Sequence, residues 1–153
     1  MAHQITGTND AGLQSARDAV ESLFRTDRAS QSFGFEVVDV IPGHVRVAMT
    51  VRPDMVNGFH ICHGGIIFAF ADSAFAFACN SYGEAMVAAG ASIEFLAPAH
   101  SGERLTASAS VVSRTERHGL YDVVVTNSSD AVLAHFRGRC SRLRKSQQGT
   151  RGS

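Results

Sequence analysis

The 153-residue chain has no surplus of either charge: fourteen Lys and Arg balance fourteen Asp and Glu. A protein built to hold nucleic acid needs a basic excess, so nucleic acid is not expected as the main partner. Cysteines are few and odd in number, Cys62, Cys79 and Cys140, with no CxxC spacing. That argues against a disulfide scaffold, and reduced thiols in the cytoplasm are the natural reading. His60, Cys62 and His63 are cramped together, with no second Cys/His pair at zinc spacing, so no metal is expected. The opening MAHQITGTND has neither the basic nor the apolar region of a signal peptide. No apolar run reaches the roughly 20 residues that a membrane span requires. What remains is ordinary: 44% hydrophobic and 18% charged residues, in a length suited to one domain with its own core. Basic residues crowd only the end, at Arg137, Arg139, Arg142, Arg144, Lys145 and Arg151. They read as a solvated end, with a phosphate-attracting rim as the lesser reading.

Residues 1–11 read as a flexible leader and 144–153 as a flexible tail, with a single domain over 12–143. Leu13, Ala16, Val20, Leu23 and Phe24 fall on one face of an amphipathic helix. After a polar break at 27–32, the runs Phe35–Ile41 and Val45–Val51 flank Pro42-Gly43 and predict a hairpin. Residues 52–63 read as loop. From Ala85 onward the pattern is strand after strand: 85–95, 104–113, 121–126 and 131–143. The segment 114–119, RTERHG, reads as a polar connection. An early helix, a hairpin, one long buried helix and four more strands imply an α+β fold.

The organising stretch is NGFHICHGGIIFAFADSAFAFACNSYG, Asn57 to Gly83. Between Ile66 and Cys79 only Asp72 and Ser73 are polar, which predicts a helix buried on nearly every face and ending near Tyr82-Gly83. Gly64 and Gly65 open that helix and leave its first amides without partners, ready to hold an oxyanion. Two turns on, Asp72 is a lone carboxylate whose burial is costly unless something compensates it. Phe68, Phe70, Phe75 and Phe77 read mostly as core, with one or two available to line an acyl pocket.

The segment CHGGIIFAFADSAFAFACNS, with Asn57 six residues before His63, Asp72 nine after it, and IEFLAPAHSGERL downstream, resembles the hotdog-fold acyl-CoA thioesterases. It is particularly similar to the PaaI-like branch of bacterial phenylacetate degradation. The resemblance spans about Gly12 to Leu143. It implies an antiparallel sheet wrapped around a long central helix, and hydrolysis of an aryl-acetyl-CoA. It also implies Asp72 as catalytic acid or base, the Gly64 amide as the group polarising the thioester carbonyl, and Asn57 as an orienting amide. His63 would shape the loop rather than move protons. Relatives form dimers paired into tetramers, with sites across the dimer interface, so Asp72 would face the Gly64 of a neighbouring chain. Coenzyme A would enter as part of the substrate and no cofactor is needed. Some relatives hold the hydrolytic water with a hydroxyl four residues before the position of Ser92. That position is Ala88 here, leaving Ser92, Ser73 or Asp72 alone for the task.

Asp72 either attacks the carbonyl directly, through an anhydride, or deprotonates a water. The reading favours water. Gly65, Ser73 and Ser92 are further candidates to line the substrate. Arg114, Arg117 and His118 are candidates for the nucleotide phosphates of coenzyme A, since guanidinium suits phosphate. Two other readings compete. A dehydratase or hydratase on the same scaffold would need a His and an acid working together on the acyl chain. A non-catalytic acyl-CoA binding module would bind without turnover.

Overall fold

The computed structural model describes residues 10–144. The expected leader and tail therefore lie almost wholly outside the described residues, and helix α1 (Asp10–Thr26) already begins inside the expected leader. Its apolar stripe packs inward, with Ala16 and Val20 buried. The break at 27–32 is not a loop but a second short helix, α2 (Arg28–Ser32). Asp27 caps it, accepting a hydrogen bond from the Ser30 amide at 3.0 Å.

Strands β1 (Glu36–Ile41) and β2 (His44–Thr50) form the expected hairpin around Pro42-Gly43. A single 3-10 turn, Pro53–Met55, interrupts the connection to helix α3 (Gly64–Asn80). Helix α3 stops at Asn80, short of Tyr82-Gly83; Gly83 follows in the left-handed region, at φ 84°. Strands β3 (Met86–Phe95), β4 (Arg104–Arg114), β5 (His118–Thr126) and β6 (Val132–Arg142) complete the chain. The polar connection shrinks to the tight turn 115–117, because Arg114 and His118 are already paired strand residues.

All six strands form one antiparallel sheet in the order β1-β2-β4-β5-β6-β3, wrapped against α3. This is the hotdog arrangement, α+β. Alternation builds the inner face: Val45, Val47 and Met49, then Leu105, Ala107 and Ala109, then Tyr121, Val123 and Val125 are all buried. Phe70, Phe75 and Phe77 project from α3 fully buried, each stabilising by roughly 1.5–3 kcal/mol. Phe75 meets Tyr121 and Phe136 with ring centroids 5.8 and 5.6 Å apart. Gly138 permits this approach, since a Cβ there would lie 2.8 Å from the Phe75 ring.

One expectation needs correction. Helix α3 is not buried on every side: Gly65, Phe68, Ala69, Asp72, Ser73 and Ala76 form a seam only partly covered. Beside the seam runs β3, an edge strand whose residues from Val87 to Ser92 are all exposed.

Candidate active site

The His63 backbone and ring fix the start of α3. Its amide donates to the Met55 carbonyl at 2.8 Å, and its Nδ1 accepts from the Gly65 N–H at 2.9 Å. A ring nitrogen that accepts carries no proton, so the imidazole holds its proton at Nε2. His63 is thus the helix cap, and Gly65 is tied to it. Gly64, the first helical residue, donates to no acceptor among the described residues. It borders a cavity of ≈ 480 Å³ lined by Asn57, Ile61, Cys62, Ile67, Phe95 and Leu133, among others. The Phe95 ring lies 3.1 Å from where a Gly64 Cβ would stand. Cys62 also lines this cavity, but burial pushes its thiol up to about 11. It stays protonated near neutrality and is not a thiolate nucleophile.

Asn57 builds the loop before the helix. Its Oδ1 accepts from the amides of Phe59 at 2.9 Å and Ile61 at 3.4 Å. Those two donors identify the oxygen end of the side chain and leave the NH2 end for the cavity. His60 is held in the left-handed region, φ 62°, by its own amide bonding the Asn57 carbonyl at 3.0 Å.

Asp72 occupies a different cavity, of ≈ 370 Å³, walled by Leu23, Asp27, Phe75, Cys79, Met86 and Ala88, among others. The carboxyl is half-buried, and its pKa is raised by that burial and by the charge of Asp27. No hydrogen-bond donor reaches it among the described residues. Ser73 does not bond its own helix backbone, as residues of its type often do. Its hydroxyl meets Ser30 Oγ at 2.9 Å, and Ser30 Oγ donates to Asp27 Oδ2 at 2.6 Å. Asp27 thus lines the Asp72 cavity and Ser30 holds it there, a pair that sequence reasoning missed. The spacing Asp-x-x-Ser after an amphipathic helix was the available signal, a helix cap.

Ala88, the expected hydroxyl position, does line the Asp72 cavity. Ser92 does not share its face. A bulge between Ala88 and Gly90 shifts the alternation, so Ser92 pairs with Arg137 on the side of the sheet away from α3. There Arg137 is forked onto Asp122 at 2.7 and 2.9 Å. Arg114 is engaged too, lying 3.7 Å from the Tyr82 ring centroid and 3.6 Å from Glu84. His118 bonds Ser141 at 3.2 Å. Arg117 makes no ion pair among the described residues.

Gly64 and Asp72 are eight residues apart on one helix, or about 12 Å along its axis. An oxyanion donor must lie about 3 Å from the carbonyl oxygen, and the attacking group about 3–3.5 Å from the carbon. The two groups of one chain open into separate cavities.

The comparisons with known proteins agree with this architecture. A family model described as "Thioesterase superfamily" matches residues 59–134. The chain is 38% identical over 122 residues to acyl-coenzyme A thioesterase PaaI of Escherichia coli, covering 80% of this chain and 87% of that protein. The solved structure of E. coli PaaI, from the phenylacetic acid degradation operon, superposes with TM-score 0.85 at 36% identity, covering 86% of this chain and 96% of that one. A variant of the phenylacetic acid degradation protein PaaI from Thermus thermophilus matches with TM-score 0.74 at 34% identity, covering 76% of this chain and all of that one.

Proposed function

The chain belongs to the thioesterase superfamily, and from that premise we propose that it hydrolyses aryl-acetyl-CoA thioesters at a site shared by two copies. It is a thioester hydrolase by family; the substrate class, the residue roles and the shared site are the proposal. The observation that carries it is the helix α3 itself. Among the described residues the Gly64 amide and the Asp72 carboxylate have no partners, and they open into separate cavities about 12 Å apart along the helix. Yet both border an uncovered seam beside an uncovered edge strand.

A second copy resolves this. A ten-residue edge strand with exposed, uncharged Val87 to Ser92 is a ready template for pairing. Pairing β3 with its copy antiparallel about a two-fold axis sets the two α3 helices antiparallel as well. If they cross at Phe68, residue 72 of one stands opposite residue 64 of the other, each four residues from the crossing. The thioester carbonyl then takes the Gly64 amide of one chain while Asp72 of the other activates water against the carbon. The Asn57 NH2 orients the attacking water or the carbonyl. The tetrahedral intermediate collapses with loss of the coenzyme A thiolate, giving the free acid.

Three further features support the reading. The His63 ring spends Nδ1 on the helix cap, a structural duty that weighs against the proton-moving His a dehydratase needs. Leu23, Phe75 and Met86 give the Asp72 cavity apolar walls suited to a flat aryl group. The relatives named PaaI come from phenylacetic acid degradation. Arg117 is left to meet the nucleotide phosphates, since Arg114 is held by Tyr82 and Glu84. Apolar surface at Val38, Ile41 and Val112 is available for dimers to pair into tetramers. Among the described residues no helix is long and apolar enough to cross a membrane, and a cytoplasmic location, with three free cysteines, completes the proposal.

The test is thiol release from a panel of acyl-CoAs: acetyl, long-chain, phenylacetyl, hydroxyphenylacetyl and benzoyl. Aryl-acetyl turnover well above the rest supports the reading. Tight binding with no turnover of any thioester makes the protein a binding module instead.

A further inference from the structure

The Asp72 cavity holds a second carboxylate that the hydrolytic scheme does not use. Asp27 lines the same cavity from the junction of α1 and α2. It is not a loose surface acid. The Ser30 amide donates to its Oδ1 at 3.0 Å and the Ser30 hydroxyl to its Oδ2 at 2.6 Å. Ser30 is itself buried, 1% exposed. Because the only Ser30 hydroxyl proton goes to Asp27, the 2.9 Å contact between Ser30 and Ser73 must use the Ser73 proton. The chain Ser73 to Ser30 to Asp27 therefore fixes this carboxylate against the helix turn that carries Asp72.

We propose that Asp27 is a positioning residue for the hydrolysis: anchored by Ser30, it holds a second negative charge in the Asp72 cavity, facing the base. The inference rests on Asp72 being the base in the proposed function. A second carboxylate charge facing the same cavity opposes ionisation of Asp72. The charge of Asp27 raises the pKa of Asp72, second to burial as a cause. The other groups facing Asp72 leave this relation undisturbed. From β3 come only Met86, Val87 and Ala88, and from α1 only Leu23 and Thr26. On α3 the one titratable neighbour is Cys79, whose thiol is raised by its hydrogen bond with Cys140 and by burial, and stays neutral. A base with raised proton affinity is better matched to proton transfer near neutral pH than an ordinary carboxylate.

Asp27→Asn isolates the charge, because Asn caps a helix about as well as Asp. Asp27→Ser, which also caps, replaces it if the Asn variant does not fold. Two readouts are taken on wild type and variant: the acidic limb of kcat/KM against pH, and the carboxyl carbon NMR titration of Asp72, assigned with Asp72→Asn. The expected result is that both move to lower pH by about half a unit to one unit in Asp27→Asn, with the shift in wild type shrinking in high salt. Ser30→Ala, which frees the Asp27 carboxylate, gives a smaller shift in the same direction. A limb and a titration that both stay in place, even if melting temperature falls, reduce Asp27 to a helix cap and overturn the proposal. If the titration moves but wild type cleaves no thioester, the thioesterase reading fails while the coupling between the two carboxylates stands.

Discussion

Helix α3 carries two half-sites of opposite construction. At its start the working group is a backbone amide, presented by a capping histidine and a loop wound around Asn57. Eight residues on, the working group is a side chain, held in a cavity roofed by the α1–α2 junction and tuned by a second carboxylate. In the proposed function the first half stabilises negative charge and the second takes up a proton. On that reading neither half is complete alone, and the difference between them is the reason a second copy is called for: one helix would serve two reaction centres, each completed by another chain.

The largest effect is expected from the carboxylate half. Asp72→Asn keeps the shape of the helix and should remove nearly all thiol release while the far-ultraviolet circular dichroism stays unchanged. Turnover within a few-fold of wild type would take Asp72 out of the chemistry. The amide half should cost somewhat less. Gly64→Pro deletes only the N–H, since proline suits the first helical position and His63 already has extended backbone, φ −58° and ψ 132°. The exposed Phe95 ring has room to give way. Loss of one oxyanion donor lowers kcat by about 10²–10³-fold, or roughly 3–4 kcal/mol. An unchanged kcat would show that the carbonyl is polarised elsewhere.

Asn57→Asp sharpens the same half. The remaining oxygen still accepts the Phe59 and Ile61 amides, so the loop survives, but the NH2 is gone and a charge takes its place. A fall of about ten- to a hundredfold in kcat with little change in melting temperature is expected. A melting loss with kcat intact would make Asn57 purely a loop residue. The smallest effect runs in the opposite direction. Burial and Asp27 raise the folded-state pKa of Asp72, so the folded chain binds that proton more tightly than the unfolded one. Its favourable contribution is complete below the unfolded value and disappears as pH rises through the folded value. At pH 8 Asp72→Asn should therefore melt higher than wild type, by about 2–4 °C for each kcal/mol relieved, and the gain should vanish in acid. Equal melting at both pH values would mean that the carboxylate sits in the fold without strain.

The two halves also differed in how much the sequence disclosed. The helix that opens at Gly64-Gly65 and carries Asp72 was legible because a glycine pair followed by a long apolar run is a local pattern. The hairpin at Pro42-Gly43 and the inner face of β2 were legible for the same reason. Ser92, a candidate for the hydroxyl missing at Ala88, lies on the other side of the sheet because the bulge at 89 reverses the alternation, which no residue pattern announces. Asp27 and Ser30 were hidden because their partner, Ser73, lies far along the chain, 43 residues beyond Ser30. Helix α3 was expected to be buried on nearly every face, since composition alone does not tell an apolar side packed on the core from one left partly uncovered.

The most direct measurement is subunit complementation. Asp72→Asn and Gly64→Pro copies are coexpressed with different affinity tags, and the species carrying both tags is isolated. A shared site pairs the intact Asp72 of one copy with the intact Gly64 of the other, so the mixed dimer regains one good site and about half the wild-type rate per dimer. If each chain used its own Gly64 and Asp72, both sites would remain broken. A mixed species as inactive as its two parents would contradict the shared site.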